Sequence, residues 1–282
     1  MTSNDIMQKF NLTGKVAIVT GGPGLLGREF CRTLAEAGAA VAVADIDADG
    51  VNAVATHLIE SGYHALGVAT DVTQPESVHA LVQETLSTFG RLDILVNSAA
   101  LDPKFDPEAI EQMAKHGAVS GAFENYPLDS WKAALDVNLT GMFLCCQAAV
   151  APMLAQGKKG SIINICSTYG LVAPDQRIYQ RDGIQSSYKP VYYSVTKAGV
   201  LGLTRYLSAY YAGTEIRINA LTPGGVFNNH DEVFLKAYTA RTVMGRMANK
   251  DEMNGALLYL ASDASSYMTG SNLVVDGGWT AW

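Results

Sequence analysis

The sequence predicts an α/β fold built on a doubly wound parallel sheet with helices on both faces. Short β-branched runs alternate with helical patterns along the chain, and this alternation is typical of parallel strands joined by helices. The runs are apolar and end at turn residues, as expected for strands that are buried on both faces. With 282 residues, 48% of them hydrophobic, the chain can bury one sizeable core. We therefore expect a single domain over 1–282.

The first half of the chain contains three strands, each followed by a helical pattern. The strands are predicted at 15–20, 40–44 and 65–70, and the first two helices at 25–37 and 49–61. The third helix has the clearest start signal, because Thr73 has capping-box spacing to Glu76 and Pro75 lies in the first turn.

The second half continues the alternation, with strands at 93–97, 160–165, 217–221 and 272–275. Helices are predicted at 130–154, around Tyr193 and at 255–262. Parallel sheets of this kind bind ligands at the carboxyl ends of their strands, near the point where the strand order reverses. A ligand site is therefore expected among the residues that follow the strands.

Composition narrows the class of protein. The net charge is −7 and the basic residues are scattered, which argues against nucleic acid as a partner. The N-terminus has no basic start followed by an apolar run, and no apolar stretch reaches membrane-spanning length, so we expect a cytoplasmic protein without membrane contact. The cysteines and histidines lack the spacing of metal ligands, and we expect reduced thiols and no metal.

A glycine-rich turn connects the first strand to the first helix. Gly21, Gly24 and Gly27 are spaced three apart, at the place where backbone amides and the helix dipole favour a pyrophosphate. The alternative is a tight strand–helix connection with no ligand.

Two acidic residues follow strands in the same half of the chain. Asp45 ends the second strand, where a carboxylate can accept hydrogen bonds from an adenosine ribose. Because a carboxylate repels a 2′-phosphate and no Arg or Lys stands beside it, we predict NAD rather than NADP. Asp71 follows the third strand and is placed to approach the adenine. Either residue could instead be a turn acid.

Tyr193 and Lys197 lie four residues apart in a predicted helix, so their side chains share a face. A phenol has a pKa near 10, and a cation about 4 Å away favours the phenolate by up to ~4 kcal/mol at an effective dielectric of ~20. The pair can therefore act as a proton shuttle. The alternative is an exposed Tyr and Lys on an amphipathic helix.

Taken together, these motifs resemble those of the short-chain dehydrogenase/reductase family, in its compact single-domain branch with a Rossmann fold. The resemblance runs from Lys15 to Gly278 and rests on motifs in a fixed order: the glycine turn, Asp71-Val72, Asn97-Ser98-Ala99-Ala100, Asn138, Ser167, Tyr193 with Lys197, and Pro223-Gly224. A weaker similarity points to bacterial oxidoreductases of surface-sugar or flagellin-modification pathways.

The resemblance implies hydride transfer between nicotinamide and a secondary alcohol or ketone. Tyr193 would be the general acid/base, Lys197 would lower its pKa and hold the nicotinamide ribose, and Ser167 would bind the substrate oxygen. Asn138 would order a water that links Lys197 to solvent. The implied cofactor contacts are Gly21, Gly24, Leu26, Gly27, Asp45, Asp71, Val72, Asn97, Ala99, Tyr193, Lys197, Pro223, Val226 and Asn228. The family also implies a homotetramer or homodimer, with the helix 130–154 and the Tyr193 helix at the interface.

The sequence departs from the family pattern in three places. Leu25 stands where Gly is usual, Ser98 and Ala100 replace the commoner Asn and Gly, and Asn228 replaces Thr in the loop that clasps the nicotinamide amide. Asn can still donate and accept hydrogen bonds. We therefore expect this loop to keep its contact with the nicotinamide, while the effect of Leu25 and Pro23 on the pyrophosphate pose stays open.

Two enlarged segments, 101–126 and 171–189, are expected to overhang the active site. Aromatic and basic residues in the second suit a sugar that carries phosphate or nucleotide diphosphate; they are Arg177, Tyr179, Arg181, Tyr188 and Lys189. The alternatives are a solvated loop or subunit contact, and a substrate that is a small polyol, a steroid or another apolar alcohol. A different class of function, a non-catalytic NAD-binding sensor or structural subunit, would need a broken catalytic set. Here the set is complete.

Overall fold

The computed structural model describes residues 5–102, 119–157 and 159–282. Nine strands lie in these residues: β1 Val16–Thr20, β2 Ala40–Asp45, β3 Ala65–Ala69, β4 Ile94–Asn97, β5 Lys159–Ile165, β6 Gln180–Arg181, β7 Ile184–Gln185, β8 Glu215–Pro223 and β9 Asn272–Val275. Seven of them form one sheet in the order β3-β2-β1-β4-β5-β8-β9, and β6 pairs with β7 separately. Neighbouring strands of the large sheet are parallel. The predicted doubly wound sheet is confirmed.

Eight helices accompany the strands in the described residues: α1 Leu25–Glu36, α2 Ala48–Glu60, α3 Pro75–Phe89, α4 Leu128–Leu135, α5 Met142–Ala155, α6 Val191–Tyr210, α7 Glu232–Thr239 and α8 Asn254–Ala261. Side chains alternate along the strands, so Ala17 and Val19 pack with α1, α2 and α8, while Ile18 packs with α3, α5 and α6. The core therefore has two layers, one on each face of the sheet.

The strand order reverses between β1 and β4, which lie side by side in the middle of the sheet. The chain runs from β1 outward to β3 and then crosses back to β4. The loops after β1 and β4 consequently diverge to opposite faces and leave a crevice at the carboxyl edge. The ligand site was predicted at this edge.

The helix predicted at 130–154 is present and contains a π-helical turn. A π-helical turn, Asp136–Gly141, separates α4 from α5. Contrary to the expectation from the sequence, the run Leu128–Ala155 is long and apolar enough to span a membrane by length and composition. Its buried residues pack instead against α3, α6 and the sheet, which is the arrangement of a core helix.

The segment 171–189 has structure of its own. It contains a short 3-10 helix, Gln176–Tyr179, and the hairpin of β6 and β7. Asp182 and Gly183 connect the two strands with φ of 51° and 75°, as expected for an Asp-Gly hairpin turn. Of the other enlarged segment, 101–126, residues 103–118 lie outside the described residues. The end of this segment contacts the segment 171–189, because the Tyr188 N–H donates to the Ser120 carbonyl over 2.8 Å.

Candidate active site

The glycine turn after β1 is built for close backbone contact. Gly21 has a φ of +70°, and a Cβ there would lie 2.8 Å from the Ala99 nitrogen. A Cβ at Gly27 would overlap the Gly21 carbonyl oxygen. Gly24 is the N-cap of α1 and has no side chain that could accept from the first N–H groups of the helix. This cradle fits the pyrophosphate of a dinucleotide.

The two predicted acids differ in the number of hydrogen bonds that their carboxylates accept within the protein. Asp45 is half-buried at the end of β2, and its Oδ1 accepts from the Asp47 N–H over 3.0 Å. Asp71 accepts from both the N–H and the hydroxyl of Thr73, over 2.9 and 2.7 Å. The turn-acid alternative therefore describes one oxygen of each residue, because Asp45 Oδ1 holds the Asp47 N–H and Asp71 Oδ1 holds Thr73. Asp45 is the acid at the carboxyl end of the strand next to the glycine turn.

The side chains of Asn97 and Val72, two predicted cofactor residues, make contacts within the protein. The Asn97 amide donates to Asn164 Oδ1 over 2.9 Å and to Cys146 Sγ over 3.2 Å, inside the core. Val72 is buried and packs so closely on Gly141 that a Cβ there would lie 2.8 Å from it. In the structure these side chains order the loop and the π-helical turn.

Thr20, which the sequence reasoning did not single out, ties the loop after β4 to β1. Its Oγ1 accepts from the N–H groups of Ser98 and Ala99 over 3.1 and 3.2 Å. A hydroxyl in the last residue of the first strand was the available signal. Two hydrogen bonds to Thr20 therefore hold this loop, in which Ser98 and Ala100 replace the commoner Asn and Gly.

The remaining predicted cofactor residues lie in and beyond this edge. Leu26 packs partly buried against the core under α1. Pro223 ends β8, and Val226 forms a bridge with Ala248. Asn228 is exposed, and its N–H donates to His230 Nδ1 over 3.2 Å.

Ser167, Tyr193 and Lys197 come together above β5. Ser167 follows the strand and caps a 3-10 turn, where its Oγ accepts from the Tyr169 N–H over 3.2 Å, and its hydroxyl lowers the pKa of Tyr193. Lys197 is buried on the same helix face as Tyr193, with Nζ 5.8 Å from the Tyr193 ring centre. The ammonium also donates to the Ile165 carbonyl over 2.9 Å. The predicted sharing of a helix face is thus observed.

Burial dominates the electrostatics of this group. It raises the pKa of Tyr193, the Asp102 carboxylate raises it further, and the hydrogen bond from Ser167 opposes both. Burial lowers the pKa of Lys197. Desolvation disfavours the charged form of each residue, so a phenolate here depends on nearby positive charge.

Asn138 lies in the π-helical turn and is buried. Its Oδ1 accepts from the Leu101 N–H over 2.6 Å, and its Nδ2 donates to the Leu101 carbonyl and to Thr196 Oγ1 over 3.1 and 3.3 Å. It thereby fastens the loop after β4 to the helix that carries Tyr193. Thr196, inside the Tyr-Lys motif, was not predicted as a partner.

Lys189 is the predicted substrate residue that the structure brings to Tyr193. Its Nζ lies 4.0 Å from the centre of the Tyr193 ring and 2.6 Å from Asp102 Oδ1. Asp102 was not predicted, although it is the first acid after the β4 loop and begins an enlarged segment.

The two arginines have acidic partners elsewhere. The Arg177 guanidinium is exposed and donates to Asp175, which also pairs with Arg241. Arg181 pairs with Asp231 over 2.6 Å. The structure therefore gives both guanidinium groups a carboxylate and no contact with Tyr193.

The two predicted tyrosines of this segment are part of its packing. Tyr179 is buried, and its hydroxyl lies 3.4 Å from that of Tyr169. The backbone of Tyr188 pairs with Ser120. An aromatic cluster continues from here toward Tyr193, and its buried members include Tyr169, Tyr179, Phe234, Tyr238 and Trp279.

Known proteins share this architecture and sequence. A short-chain dehydrogenase family model described as enoyl-(acyl carrier protein) reductase matches residues 25–280. A short chain dehydrogenase/reductase of Aspergillus oryzae, astE, is 36% identical over 99% of this chain and 98% of its own length. The cis-4-hydroxycyclohexanecarboxylate dehydrogenase of Sinomonas cyclohexanicum is 36% identical over 95% of this chain and 97% of its own.

Solved structures agree with the sequence relatives. A gluconate 5-dehydrogenase from Burkholderia cenocepacia, crystallised with NADP and tartrate, superposes with a TM-score of 0.83 at 31% identity. The match covers 99% of this chain and 100% of that one. The chain therefore belongs to the short-chain dehydrogenase/reductase family and is an oxidoreductase that acts on CH–OH groups.

Proposed function

We propose that the protein is an NAD-dependent dehydrogenase that interconverts a secondary alcohol and a ketone on a sugar or sugar-derived substrate. The observation that carries this proposal is the group of Ser167, Tyr193 and Lys197 at the mouth of a dinucleotide cradle. The complete set argues against a non-catalytic sensor.

Each residue of the group has a defined task. During oxidation, the Tyr193 phenolate takes the hydroxyl proton, and in reduction the phenol returns it. Ser167 hydrogen-bonds the same substrate oxygen and fixes its position. The Lys197 charge favours the phenolate, while Asn138 holds the loop and the Tyr193 helix in register. Bound nicotinamide would accept or supply the hydride.

Gly21, Gly24, Gly27 and Asp45 are proposed to hold NAD. The glycine turn offers backbone donors to the pyrophosphate, and the Asp45 carboxylate accepts from the ribose hydroxyls. The same carboxylate repels the 2′-phosphate of NADP, which is the physical reason for preferring NAD.

Replacing Asp45 by Ser is expected to lower the NAD-over-NADP preference in kcat/KM about 10- to 100-fold, because the repulsion and the ribose hydrogen bonds are lost together. Calorimetric titration with each cofactor checks the same ratio without a substrate. Asp49→Asn, an exposed acid in the first turn of α2, is the matched control. A wild-type enzyme that prefers NADP would refute the cofactor assignment.

The proposed substrate is a hydroxylated ring or chain of sugar size. Its support is the pair of Lys189 and Asp102 beside Tyr193, together with relatives named for gluconate and for a hydroxylated cyclohexane ring. Because Arg177 and Arg181 already pair with acids, we favour a sugar without phosphate over a nucleotide sugar.

A panel of alcohols tests the function directly. Formation of NADH is followed with sugars, polyols, sugar acids, nucleotide sugars and steroids under identical conditions. We expect turnover to concentrate on the sugar-derived alcohols. Turnover confined to steroids or other apolar alcohols would contradict the substrate class.

Assembly and compartment are proposed on the same basis. Helices α5 and α6 expose Phe143, Val195, Tyr206 and Tyr210, an apolar set that fits contact with a second copy of the chain. We propose a homotetramer or homodimer that works in the cytoplasm, where the four buried cysteines stay reduced.

A further inference from the structure

The most unusual charge near the site is Lys189. Only 9% of its side chain is exposed, and its ammonium lies over the Tyr193 ring, 4.0 Å from the centre. A buried ammonium is costly unless it has a partner. A second cation next to the reacting phenol therefore requires an explanation beyond the proton shuttle.

The lysine is held in place by its backbone. The Gln176 side-chain amide accepts from the Lys189 N–H over 2.9 Å and donates to the Lys189 carbonyl over 3.1 Å. Pro190 follows directly as the N-cap of α6. The enlarged segment 171–189 thus aims one ammonium at the face of Tyr193.

The partner of the Lys189 ammonium is Asp102, a carboxylate that can be displaced. Asp102 contacts the Lys189 ammonium at 2.6 Å, yet 60% of the Asp102 side chain is exposed. A carboxylate so exposed can return to water at small cost. Lys189 is therefore a buried cation, and its partner Asp102 is an exposed carboxylate.

We propose that Lys189 binds a carboxylate of the alcohol substrate, and that Asp102 is the resident carboxylate which this group displaces. The inference rests on the proposed function and names its substrate class as a hydroxy acid. Because the ammonium lies so close to the Tyr193 ring, the carboxylate and the reacting hydroxyl must be only a few carbon atoms apart.

Two features favour a carboxylate over a phosphate. A single ammonium already holds one carboxylate beside Tyr193, whereas the guanidinium groups that would suit a phosphate pair with Asp175, which is mostly buried, and with Asp231, which also caps α7. Burial lowers the pKa of the nearby His230 imidazole, which disfavours a competing cation there.

The test compares substrates that differ only in the charged group. Gluconate is paired with glucitol, and 4-hydroxycyclohexanecarboxylate with its methyl ester; glucitol 6-phosphate is the phosphate probe. We expect the wild type to prefer the acids. Lys189→Met should raise KM for the acids about 10- to 100-fold, the worth of a charge-assisted hydrogen bond, and leave KM for the neutral partners within about threefold. Because the Lys189 ammonium also lies 4.0 Å from the Tyr193 ring centre, any change in kcat through the Tyr193 ionisation should be the same for acids and neutral partners.

Asp102→Asn is expected to change KM for the acids in the opposite direction. Without the resident carboxylate the ammonium is free more of the time, so KM for the acids should fall about threefold or more. Lys9→Met removes the same charge from an exposed position ahead of β1, at the amino edge of the sheet, and should change nothing. Calorimetry of the hydroxy acids on the NADH-loaded protein gives the same comparison without turnover, because the reduced cofactor cannot accept a hydride from an alcohol.

The outcomes separate the two proposals. Equal KM changes for acids and neutral partners in Lys189→Met, a preference for glucitol 6-phosphate, or no acid binding by calorimetry would each overturn the carboxylate assignment while the dehydrogenase activity stands. An absence of turnover with every alcohol, alongside acid binding that depends on Lys189, would overturn the proposed function and support the anion site.

Discussion

Replacing Tyr193 by Phe is expected to lower kcat/KM for alcohol oxidation by about 10²- to 10⁴-fold, the range for loss of a general acid/base. The ring still packs against Tyr169, whose ring centre is 6.4 Å away, so the fold and the cofactor cradle should persist. Steady-state kinetics and NAD calorimetry measure the two effects separately.

Tyr192→Phe is the matched control for this variant. It removes the same hydroxyl one residue earlier, from a buried side chain whose ring lies 6.0 Å from that of Tyr126. We expect activity within a few-fold of the wild type. If Tyr193→Phe retained wild-type kcat, Tyr193 would not be the proton donor and acceptor.

Replacing Lys197 by Met is expected to reduce oxidation at neutral pH about 100-fold. A positive charge 5.8 Å from the Tyr193 ring centre favours the phenolate by about 3 kcal/mol at an effective dielectric of ~20, which is about two pKa units. Removing it raises the pKa of Tyr193 further. The base form then appears at higher pH, so the pH profile of oxidation should shift to the alkaline side.

The pH profile distinguishes this electrostatic role from a loss of folding. Thermal unfolding should show a free energy of unfolding lower by about 1–3 kcal/mol, because the Ile165 carbonyl loses its hydrogen-bond donor. Kinetics at pH values up to the plateau should recover part of the lost rate. An unshifted profile at reduced activity would show that Lys197 does not act on the Tyr193 ionisation.

The sheet was predictable because its strands obey a simple constraint. Strands buried on both faces must be apolar throughout, and Val16–Thr20 and Ile94–Asn97 are interior strands of this kind. Their order in the chain, with helices between, leaves few possible topologies. The pair of Tyr193 and Lys197 was predictable for a similar reason, because helical spacing alone fixes their common face.

The details that depend on distant contacts were not predictable. The sequence pattern did not indicate the π-helical turn at Asp136–Gly141. Asn138 was noticed as locally unfavourable, but its hydrogen bonds to Leu101 need the folded loop. Helix α7 was missed, although Asp231 caps it through the Phe234 N–H.

The substrate side was the least accessible from sequence. Five residues of the segment 171–189 were grouped by residue type, and the fold assigned them different partners. Arg177 and Arg181 took nearby acids, whereas Lys189 met Asp102, 87 residues earlier in the chain. Pairings at such a separation are set by tertiary packing and leave no local pattern.

The most direct test of the central claim is the fate of the hydrogen on the carbinol carbon. Wild-type protein is incubated with NAD and alcohols of the panel that carry deuterium at that carbon, and the reduced cofactor is examined by NMR. We predict one deuterium on the nicotinamide ring per turnover and none from deuterated water. Intact NAD binding without deuterium transfer from any alcohol would contradict the assignment of this chain as a dehydrogenase.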